Sequence, residues 1–137
     1  MAGLRFHPRR GTIVIVDFDQ AFRPPEMVKR RPCVILSNQM KDRPGLATVV
    51  PLSTTPPPIV ERYHCQLEIP FELPAKWANP RPWLKGDMVY TLNLSRMRFM
   101  LLGKDRTGER VYQRQALGRD QMAEIERCVK FGLGLAD

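Results

Sequence analysis

Short apolar runs, many of them bounded by proline or glycine, constrain the fold of this chain more than any other feature. Runs of roughly four to eight residues that are rich in β-branched side chains are typical of strands. The predicted strands are Thr12–Asp19, Pro32–Asn38, Leu46–Leu52, Arg62–Ile69, Lys85–Leu92, Arg98–Leu102 and Arg110–Gln113. We therefore expect a mainly β chain of about five to seven short strands.

Two proline-rich stretches interrupt these strands. Ser53–Pro58 contains three consecutive prolines, ends the third strand abruptly and excludes a helix there. The second stretch, Pro70–Pro82, carries four prolines. Phe71, Trp77 and Trp83 give this stretch side chains to pack, so we expect an ordered excursion from the sheet. The two tryptophans could stack on bases, but covering an edge of the core is the more common role.

Near the C-terminus the hydrophobic period changes to that of an amphipathic helix. The apolar positions after Arg119 are Met122, Ile125, Val129 and Leu133. Asp120 lies in the predicted first turn, where a carboxylate is favourable, and Gly132 and Gly134 end the helix. Short strands followed by one closing helix predict a single domain over residues 1–137, a small and partly open barrel.

The chain carries a strong positive charge. Its 22 lysines and arginines against 14 aspartates and glutamates give a net charge of +8. A small basic domain attracts polyanions such as nucleic acid, or acidic proteins, and the planar fork of arginine suits phosphate. Many solvated surfaces have this composition, so the charge alone does not assign a function.

The sequence gives no sign of a metal site, a cofactor or a membrane span. Cys33, Cys65 and Cys128 are odd in number, form no CxxC pair and lie in apolar patterns, so we expect reduced core residues. His7 and His64 are far apart along the chain, which argues against structural zinc. No apolar run approaches the ~18 residues of a membrane span. Because the N-terminus also lacks an apolar signal-peptide core, we expect a cytoplasmic protein.

The segment Glu26–Ser37 places two cationic residues directly before a predicted buried strand. Arg30 and Arg31 precede Pro32, which favours an extended backbone at the residue before it and suits the first position of a strand. A guanidinium is thereby fixed at the edge of a rigid sheet, where functional groups are commonly placed. The alternative is a solvated basic turn that leads into a core strand.

Several motifs, in this order along the chain, resemble those of the PemK/MazF family of toxin ribonucleases. They are Gly11–Asp19, Glu26 with Arg31–Pro32 and Val34–Ser37, Val49–Thr54, Lys85–Val89, Asn93–Met97 and the helical segment Leu117–Leu135. The resemblance covers nearly the whole chain. It implies an SH3-like, partly open β-barrel that forms a homodimer and cleaves single-stranded RNA, often mRNA, without a metal. It also implies that an acidic antitoxin holds the toxin inactive.

The resemblance assigns catalytic roles to individual residues. Arg31 matches the family's essential arginine, which would stabilise the dianionic phosphorane and could also donate a proton. Because a guanidinium stays charged, Arg31 is not assigned as the base. The family's hydroxyl falls on Ser53 if Pro51 is the anchor. It falls on Thr54 if residues are counted from Arg31 without a gap. Asp87 matches an acidic position that serves as base or orienter in some family members.

Four further residues are expected to contact the RNA. Glu26 matches the family's loop glutamate, and Lys29 and Arg30 lie in the same loop. Lys85 replaces the usual arginine beside Asp87, which keeps the charge but loses the bidentate fork.

Each candidate also has a purely structural interpretation. Ser53 and Thr54 could satisfy backbone groups at a strand end, which is common for such residues. Asp87 could be a turn carboxylate, and Glu26 could pair with Lys29 or Arg30 at the surface.

Two other functions are compatible with the sequence. The same barrel could be a non-catalytic module that binds nucleic acid or a protein partner, as a gyrase-directed fold relative does. It could also be a housekeeping domain whose charge serves solubility, although this explains none of the motif order. Lys85, Met88 and Asn93 replace the family's usual arginine, glutamine and aspartate and weigh against the nuclease. Arg31 together with a nearby hydroxyl favours it.

Overall fold

The structure is a computed structural model, and it describes residues 3–18, 22–27 and 29–135. Within these residues the chain forms eight strands, two short 3-10 helices and one α-helix. The strands are β1 (Ile13–Asp17), β2 (Arg30–Ile35), β3 (Leu46–Ser53), β4 (His64–Gln66), β5 (Trp83–Lys85), β6 (Tyr90–Asn93), β7 (Met97–Lys104) and β8 (Arg110–Gln113). The 3-10 helices are Ala75–Trp77 and Leu94–Arg96, and α1 is Arg119–Gly132.

The strands form one antiparallel sheet that curls without closing. Their order is β4-β5-β3-β2-β1-β7-β8, and β6 also pairs with β3. Among the described residues no ladder joins β4 to β8, the two outermost strands of this order. The predicted fold class is therefore confirmed as mainly β with a C-terminal helix, a partly open SH3-like barrel.

Both faces of the central strands are buried. In β1, Ile13 and Ile15 pack in a cluster with the buried face of α1, which we call the helix-side cluster. Val14 and Val16 pack in a second cluster on the opposite face of the sheet. A strand buried on both faces has an apolar residue at nearly every position. This explains why β1 is a continuous apolar run in the sequence.

The start of β2 differs from the prediction. β2 begins at Arg30, so the prediction that Pro32 is its first residue is wrong. The ladder from β2 to β3 covers only Cys33 to Ile35, and Pro32, which has no N–H, lies just outside it. Arg30 and Arg31 are therefore part of the strand. The predicted end of β1, Asp19, lies outside the described residues.

β4 is shorter than the predicted strand Arg62–Ile69 because prolines lie opposite its continuation. The N–H groups of Leu67 and Ile69 still donate across the sheet, at 2.9 and 2.8 Å. Their acceptors are the carbonyl oxygens of Pro82 and Pro80. Neither proline has an N–H to return, so the regular ladder ends at β4.

The predicted strand Lys85–Leu92 is wrong, because this segment contributes to two strands, β5 and β6, separated by a turn at Gly86. A Cβ on Gly86 would lie 2.7 Å from the carbonyl carbon and oxygen of Cys128 in α1 and 2.7 Å from the carbonyl oxygen of Tyr63. The turn thus packs directly on backbone from two sides, and this contact requires glycine. It also raises the number of strands above the predicted range.

The segment of residues 70–82 is held against the barrel by its side chains and its backbone. The side chains that pack on the helix-side cluster are Phe71, Leu73 and Trp77. Gln113 Nε2 donates to the carbonyl oxygen of Glu72 at 2.7 Å. Gln66 Nε2 donates to the carbonyl oxygen of Arg81 at 2.9 Å. We call this segment the excursion.

The C-terminal part of the chain follows the prediction with one exception. β7 and β8 form the expected hairpin, and α1 buries Met122, Ile125 and Val129. Leu133 lies after the last helical residue and is 52% exposed, so its predicted place on the buried face is wrong. No helix in the described part of the chain has the length and apolar character needed to cross a membrane.

Candidate functional site

Arg31 and both candidate hydroxyl residues line one cleft at the adjacent ends of β2 and β3. These strands pair with Cys33 opposite Pro51. Arg31 and Ser53 each lie two residues beyond this pair, where the β2–β3 ladder has ended. Thr54 follows at the start of the loop after β3. Arg31, Ser53 and Thr54 line a cleft of about 140 Å³, which we call the Arg31 cleft.

The remaining walls of the Arg31 cleft are apolar, basic or neutral. Its floor is formed by core side chains, namely Ile13, Leu52, Ile69 and Met100. The excursion supplies the outer wall, with Leu73, Lys76, Trp77, Asn79 and Pro82. No acidic side chain lines this cleft within the described residues. Fixed cations and hydroxyls beside an apolar floor can bind a phosphodiester, because the low-dielectric surroundings strengthen the charge interaction.

The two candidate hydroxyls differ in what they already contact. Ser53 Oγ accepts a hydrogen bond from the backbone N–H of Thr55 at 3.2 Å and lies 3.4 Å from the carbonyl oxygen of the same residue. This bonding is typical of a serine that stabilises a turn. Thr54 is exposed, and its hydroxyl has no hydrogen-bond partner among the described residues. The Thr54 hydroxyl is therefore the one available to a ligand.

Lys85 and Asp87 lie in a different cleft. The two residues line a cleft of about 430 Å³ together with His64 and the proline-rich loop that begins at Thr55. Thr54 lines the Arg31 cleft and Thr55 lines this second one, so the loop lies between the two. The structure therefore does not bring Lys85 or Asp87 into the Arg31 cleft. Asp87 is exposed and occupies the turn after Gly86.

Two more residues of this second cleft bear on its chemistry. The pKa of Tyr63 is raised above its ordinary value. Partial desolvation is the larger cause, and the negative charges of Asp87 and Glu61 add to it. His64 Nδ1 accepts a hydrogen bond from the backbone N–H of Glu61 at 3.0 Å, which leaves its other ring nitrogen as the donor. The second cleft thus mixes acidic, basic and phenolic groups, whereas the Arg31 cleft is lined by no described acid.

The three candidates between β1 and the start of β2, namely Glu26, Lys29 and Arg30, have separate environments. Glu26 Oε1 accepts from the backbone N–H of Arg23 at 3.0 Å. Among the described residues Arg30 forms its ion pair with Asp17 and not with Glu26. Lys29 has a φ of +69°. The Nε atom of Arg30 lies 3.8 Å from Asp17 Oδ2, in an ion pair whose side chains are about half exposed. Such an exposed pair contributes little to stability.

An aromatic cluster anchors the β1–β2 loop to the barrel. The hydroxyl oxygen of Tyr90 accepts from the backbone N–H of Met27 at 3.0 Å. The Tyr90 ring contacts Phe18 and Phe22 at centroid distances of 5.1 and 5.8 Å. Burial raises the pKa of Tyr90, so its hydroxyl keeps its proton over the ordinary pH range. The cluster fixes the loop that leads into Arg30 and Arg31.

One group of described residues brings possible metal ligands together. The ligand atoms of Cys65, Glu124 and Cys128 lie within 4.8 Å of one another. Arg127 Nη2 lies 2.6 Å from Glu124 Oε1 and 3.6 Å from Cys128 Sγ. A hydrogen bond with Cys65 and the nearby guanidinium lower the pKa of the Cys128 thiol. Because the guanidinium of Arg127 already binds the Glu124 carboxylate, these residues are better described as an ion pair beside two thiols than as a metal site.

Lys76 and Asn79 join the Arg31 cleft although no sequence pattern marks them. The excursion places them there, and its path depends on contacts with distant parts of the barrel. Trp77 offered a partial signal, because an aromatic residue in a basic protein is a possible base-stacking surface. Its packing on the core and its place in the cleft wall are compatible with each other.

Comparison with known families gives a match over almost the whole chain. The model of the PemK-like, MazF-like toxins of type II toxin-antitoxin systems matches residues 9–133. The chain belongs to this family. Asn93, which replaces an aspartate usual in the PemK/MazF family, accepts from the backbone N–H of Ser95 at 2.9 Å and caps the second 3-10 helix. Asparagine and aspartate are about equally good at such a cap.

Solved structures share the fold of this PemK/MazF-family chain. An endoribonuclease from a mycobacterial species, solved in complex with its cognate antitoxin, aligns with a TM-score of 0.58 and 18% identity over 95% of this chain and 98% of that chain. The Mycobacterium tuberculosis toxin MazF-mt6 aligns with a TM-score of 0.57 and 17% identity, over 93% and 99%. MazF from Deinococcus radiodurans aligns with a TM-score of 0.57 and 19% identity, over 93% and 96%. Comparison with curated proteins found no match.

Proposed function

We propose that this chain is an endoribonuclease toxin that cleaves single-stranded RNA without a metal ion. The observation that supports the proposal best is the Arg31 cleft, which the guanidinium of Arg31 lines together with the two hydroxyl residues Ser53 and Thr54. The family membership and the likeness to endoribonuclease structures agree with it.

The proposed reaction is an internal transesterification of RNA. The ribose 2′-hydroxyl gives its proton to water as its oxygen attacks the adjacent phosphorus. The bond from phosphorus to the 5′-oxygen breaks, and this oxygen takes up a proton from water, so a 2′,3′-cyclic phosphate and a 5′-hydroxyl result. The phosphorane formed on the way carries two negative charges, which donors fixed in advance stabilise most. Arg31 donates to its non-bridging oxygens, and its permanent charge makes it a stabiliser and not the base.

Thr54 supplies the second donor to the phosphate, because its hydroxyl is exposed and has no described partner. Ser53 keeps the turn that presents Thr54. Its hydroxyl is already hydrogen-bonded to the backbone N–H of Thr55. In this assignment the catalytic pair is Arg31 and Thr54, with Ser53 as a positioning residue.

The other candidates act on RNA outside the Arg31 cleft. Lys85 and Asp87 contact the part of the single-stranded RNA that passes over the proline-rich loop into the second cleft. Lys29 and Arg30 attract the phosphate backbone beside Arg31, and Glu26 shapes their loop through the backbone of Arg23. In this proposal Asp87 orients substrate and is not placed at the reacting phosphate.

The proposal includes a homodimer and an acidic antitoxin as partners. The net charge of +8 suits an acidic polypeptide, and a mycobacterial endoribonuclease of the same fold has been solved with its cognate antitoxin. Adding a purified acidic antitoxin to the chain should suppress cleavage in proportion to the complex formed, as measured by size-exclusion chromatography with light scattering.

The decisive experiment is cleavage of mixed-sequence single-stranded RNA by purified protein in EDTA. Wild type is compared with Arg31→Ala and with Arg43→Ala, which removes the same charge from an exposed turn outside the cleft. We expect wild type and Arg43→Ala to produce fragments ending in cyclic phosphate. Arg31→Ala should lose at least about 100-fold in rate, as when one oxyanion donor is removed.

Each other result has a definite meaning. Equal cleavage by all three proteins would identify a contaminating nuclease. Intact RNA with every protein, together with retained RNA binding, would replace this proposal with the non-catalytic binding module. Cleavage by wild type that disappears in EDTA would refute the metal-independent mechanism.

A further inference from the structure

A third cleft adjoins the Arg31 cleft on the far side of the 3-10 helix Ala75–Trp77. It has a volume of about 220 Å³ and is lined by Arg98, Arg110 and Tyr112 of β7 and β8. We call it the β7–β8 cleft. Lys76, Trp77 and Met100 line both this cleft and the Arg31 cleft. The short helix therefore forms a wall shared by two neighbouring clefts.

The β7–β8 cleft combines cations with aromatic rings. Lys76, Arg98 and Arg110 supply the positive charge, and Trp77 and Tyr112 supply rings. Within the described residues no acidic side chain lines it. Grooves that bind single strands combine the same two features, because cations follow the phosphates and aromatic faces stack on bases.

The cationic surface continues beyond Arg98. Arg98 also lines a further cleft of about 200 Å³ with Arg30 and Arg96. The one described acid there is Asp17, which pairs with Arg30 at 3.8 Å. Positive side chains thus follow one another from the Arg31 cleft through the β7–β8 cleft to Arg30 at the start of β2. A polyanion longer than one nucleotide would find a continuous track.

The shared wall is rigid before any ligand binds. Trp77 packs on the helix-side cluster, and its backbone N–H donates to the carbonyl oxygen of Pro74 at 2.9 Å. Gln113 binds the carbonyl oxygen of Glu72, two residues before Pro74, as described above. Lys76 Nζ lies 5.3 Å from the centroid of the Trp77 ring, so a charge and a ring are presented together. A surface fixed in advance loses little entropy on binding.

We propose that the β7–β8 cleft binds the nucleotide next to the cleaved phosphate, and that Trp77 provides the surface on which its base packs. Lys76 contacts the phosphate between the two nucleotides. The inference rests on the proposed function, since it takes single-stranded RNA as the substrate. It makes the excursion the part of the molecule that selects where RNA is cut.

The test uses a short RNA that wild type cuts at one mapped position, with matched versions that lack the base at one nucleotide on either side of the cut. For wild type we expect one abasic version to lower kcat/KM by about 5- to 150-fold, the range of base–aromatic stacking. Trp77→Leu should lower kcat/KM for the intact RNA by a similar factor. This variant should then cleave the intact RNA and that abasic version at the same rate. Trp77→Phe should recover part of the discrimination.

Lys76 provides a variant that does not disturb the core, because its side chain is exposed. Lys76→Glu should raise KM about tenfold or more with little change in kcat, since it replaces a phosphate contact with repulsion. Lys130→Glu makes the same charge change on an exposed position of α1 that lines neither cleft. It should leave KM within about twofold of wild type, because it contacts no RNA.

The inference is overturned if Trp77→Leu slows the intact and both abasic RNAs by the same factor, because Trp77 then acts only through the fold. It is also overturned if Lys76→Glu changes the oligomeric state and not RNA binding, which would make this surface a protein interface. If wild type shows no Arg31-dependent cleavage, the proposed function fails separately. Fluorescence anisotropy with a 2′-O-methyl RNA then tests whether the β7–β8 cleft binds RNA. Equal affinities of Lys76→Glu and Lys130→Glu for this RNA would refute binding there.

Discussion

The hydroxyl in the Arg31 cleft provides a sharp prediction, because its two candidates have different surroundings. Thr54→Val removes the hydroxyl and keeps the shape of the side chain. A hydrogen bond to a charged group contributes about 1.5–3 kcal/mol. Loss of such a bond to the phosphorane corresponds to a decrease in kcat/KM of about 10- to 150-fold. Since the Thr54 hydroxyl has no described partner in the free protein, the melting temperature should not change.

Ser53→Ala should have the opposite balance. It removes the acceptor for the backbone N–H of Thr55, a bond of 3.2 Å. The expected cost is about 0.5–1.5 kcal/mol of unfolding free energy. Activity should fall less than with Thr54→Val, by under about tenfold, because the turn is loosened and the reacting phosphate keeps its donor.

The assay measures kcat/KM on a fluorogenic single-stranded RNA in EDTA, with thermal unfolding of each variant. Thr54→Ser is the matched control and should keep most of the activity, since it retains the hydroxyl. The assignment is refuted if Thr54→Val cleaves as well as wild type while Ser53→Ala loses most of its activity at unchanged stability. In that case the hydroxyl that binds phosphate belongs to Ser53.

Two further predictions concern stability. Gly86→Ala places a Cβ 2.7 Å from backbone atoms, which cannot move aside as the end of a flexible side chain could. We therefore expect the free energy of unfolding, measured in urea, to fall by about 1–3 kcal/mol. Gly118→Ala, where a Cβ meets open space, should change stability less, and equal effects would contradict the close approach. Hydrogen bonds from the Thr107 hydroxyl and from backbone N–H groups hold the pKa of Asp105 below its usual value. This contribution is complete above the unfolded pKa of about 3.9 and is lost as pH falls through the lower folded value. Asp105→Asn should therefore lower stability at pH 7 and flatten the decline below about pH 4 in urea unfolding between pH 2 and 7, whereas an unchanged decline would contradict it.

The elements that the sequence predicted well are those specified by local pattern. β1 and β3 are short β-branched runs whose length and composition suffice, and α1 has a buried face repeated at the helical period. The segment Lys85–Leu92 has the composition of one strand, yet a turn divides it. The cause is the contact of Gly86 with the backbone of α1, which joins residues that are far apart in sequence.

The site divides in the same way. The proximity of Arg31 to Ser53 follows from the register between β2 and β3, which motif order along the chain can suggest. The separation of Asp87 from Arg31 depends on where the proline-rich loop passes, and no local pattern determines that path. Lys76 reaches the cleft only because the excursion folds back over it, so its position could be known only from the folded chain.

The manner in which the excursion is held has a consequence for how specificity can change. The side chains of Gln113 and Gln66 donate hydrogen bonds to main-chain carbonyl oxygens of the excursion, and every amino acid has such an oxygen. Ala75, Lys76 and Ala78 are exposed, so exchanging them leaves these two hydrogen bonds intact. If the excursion selects the RNA as proposed, single substitutions at these positions can change which sequence is cut, while the fold of the barrel that carries Arg31 stays the same.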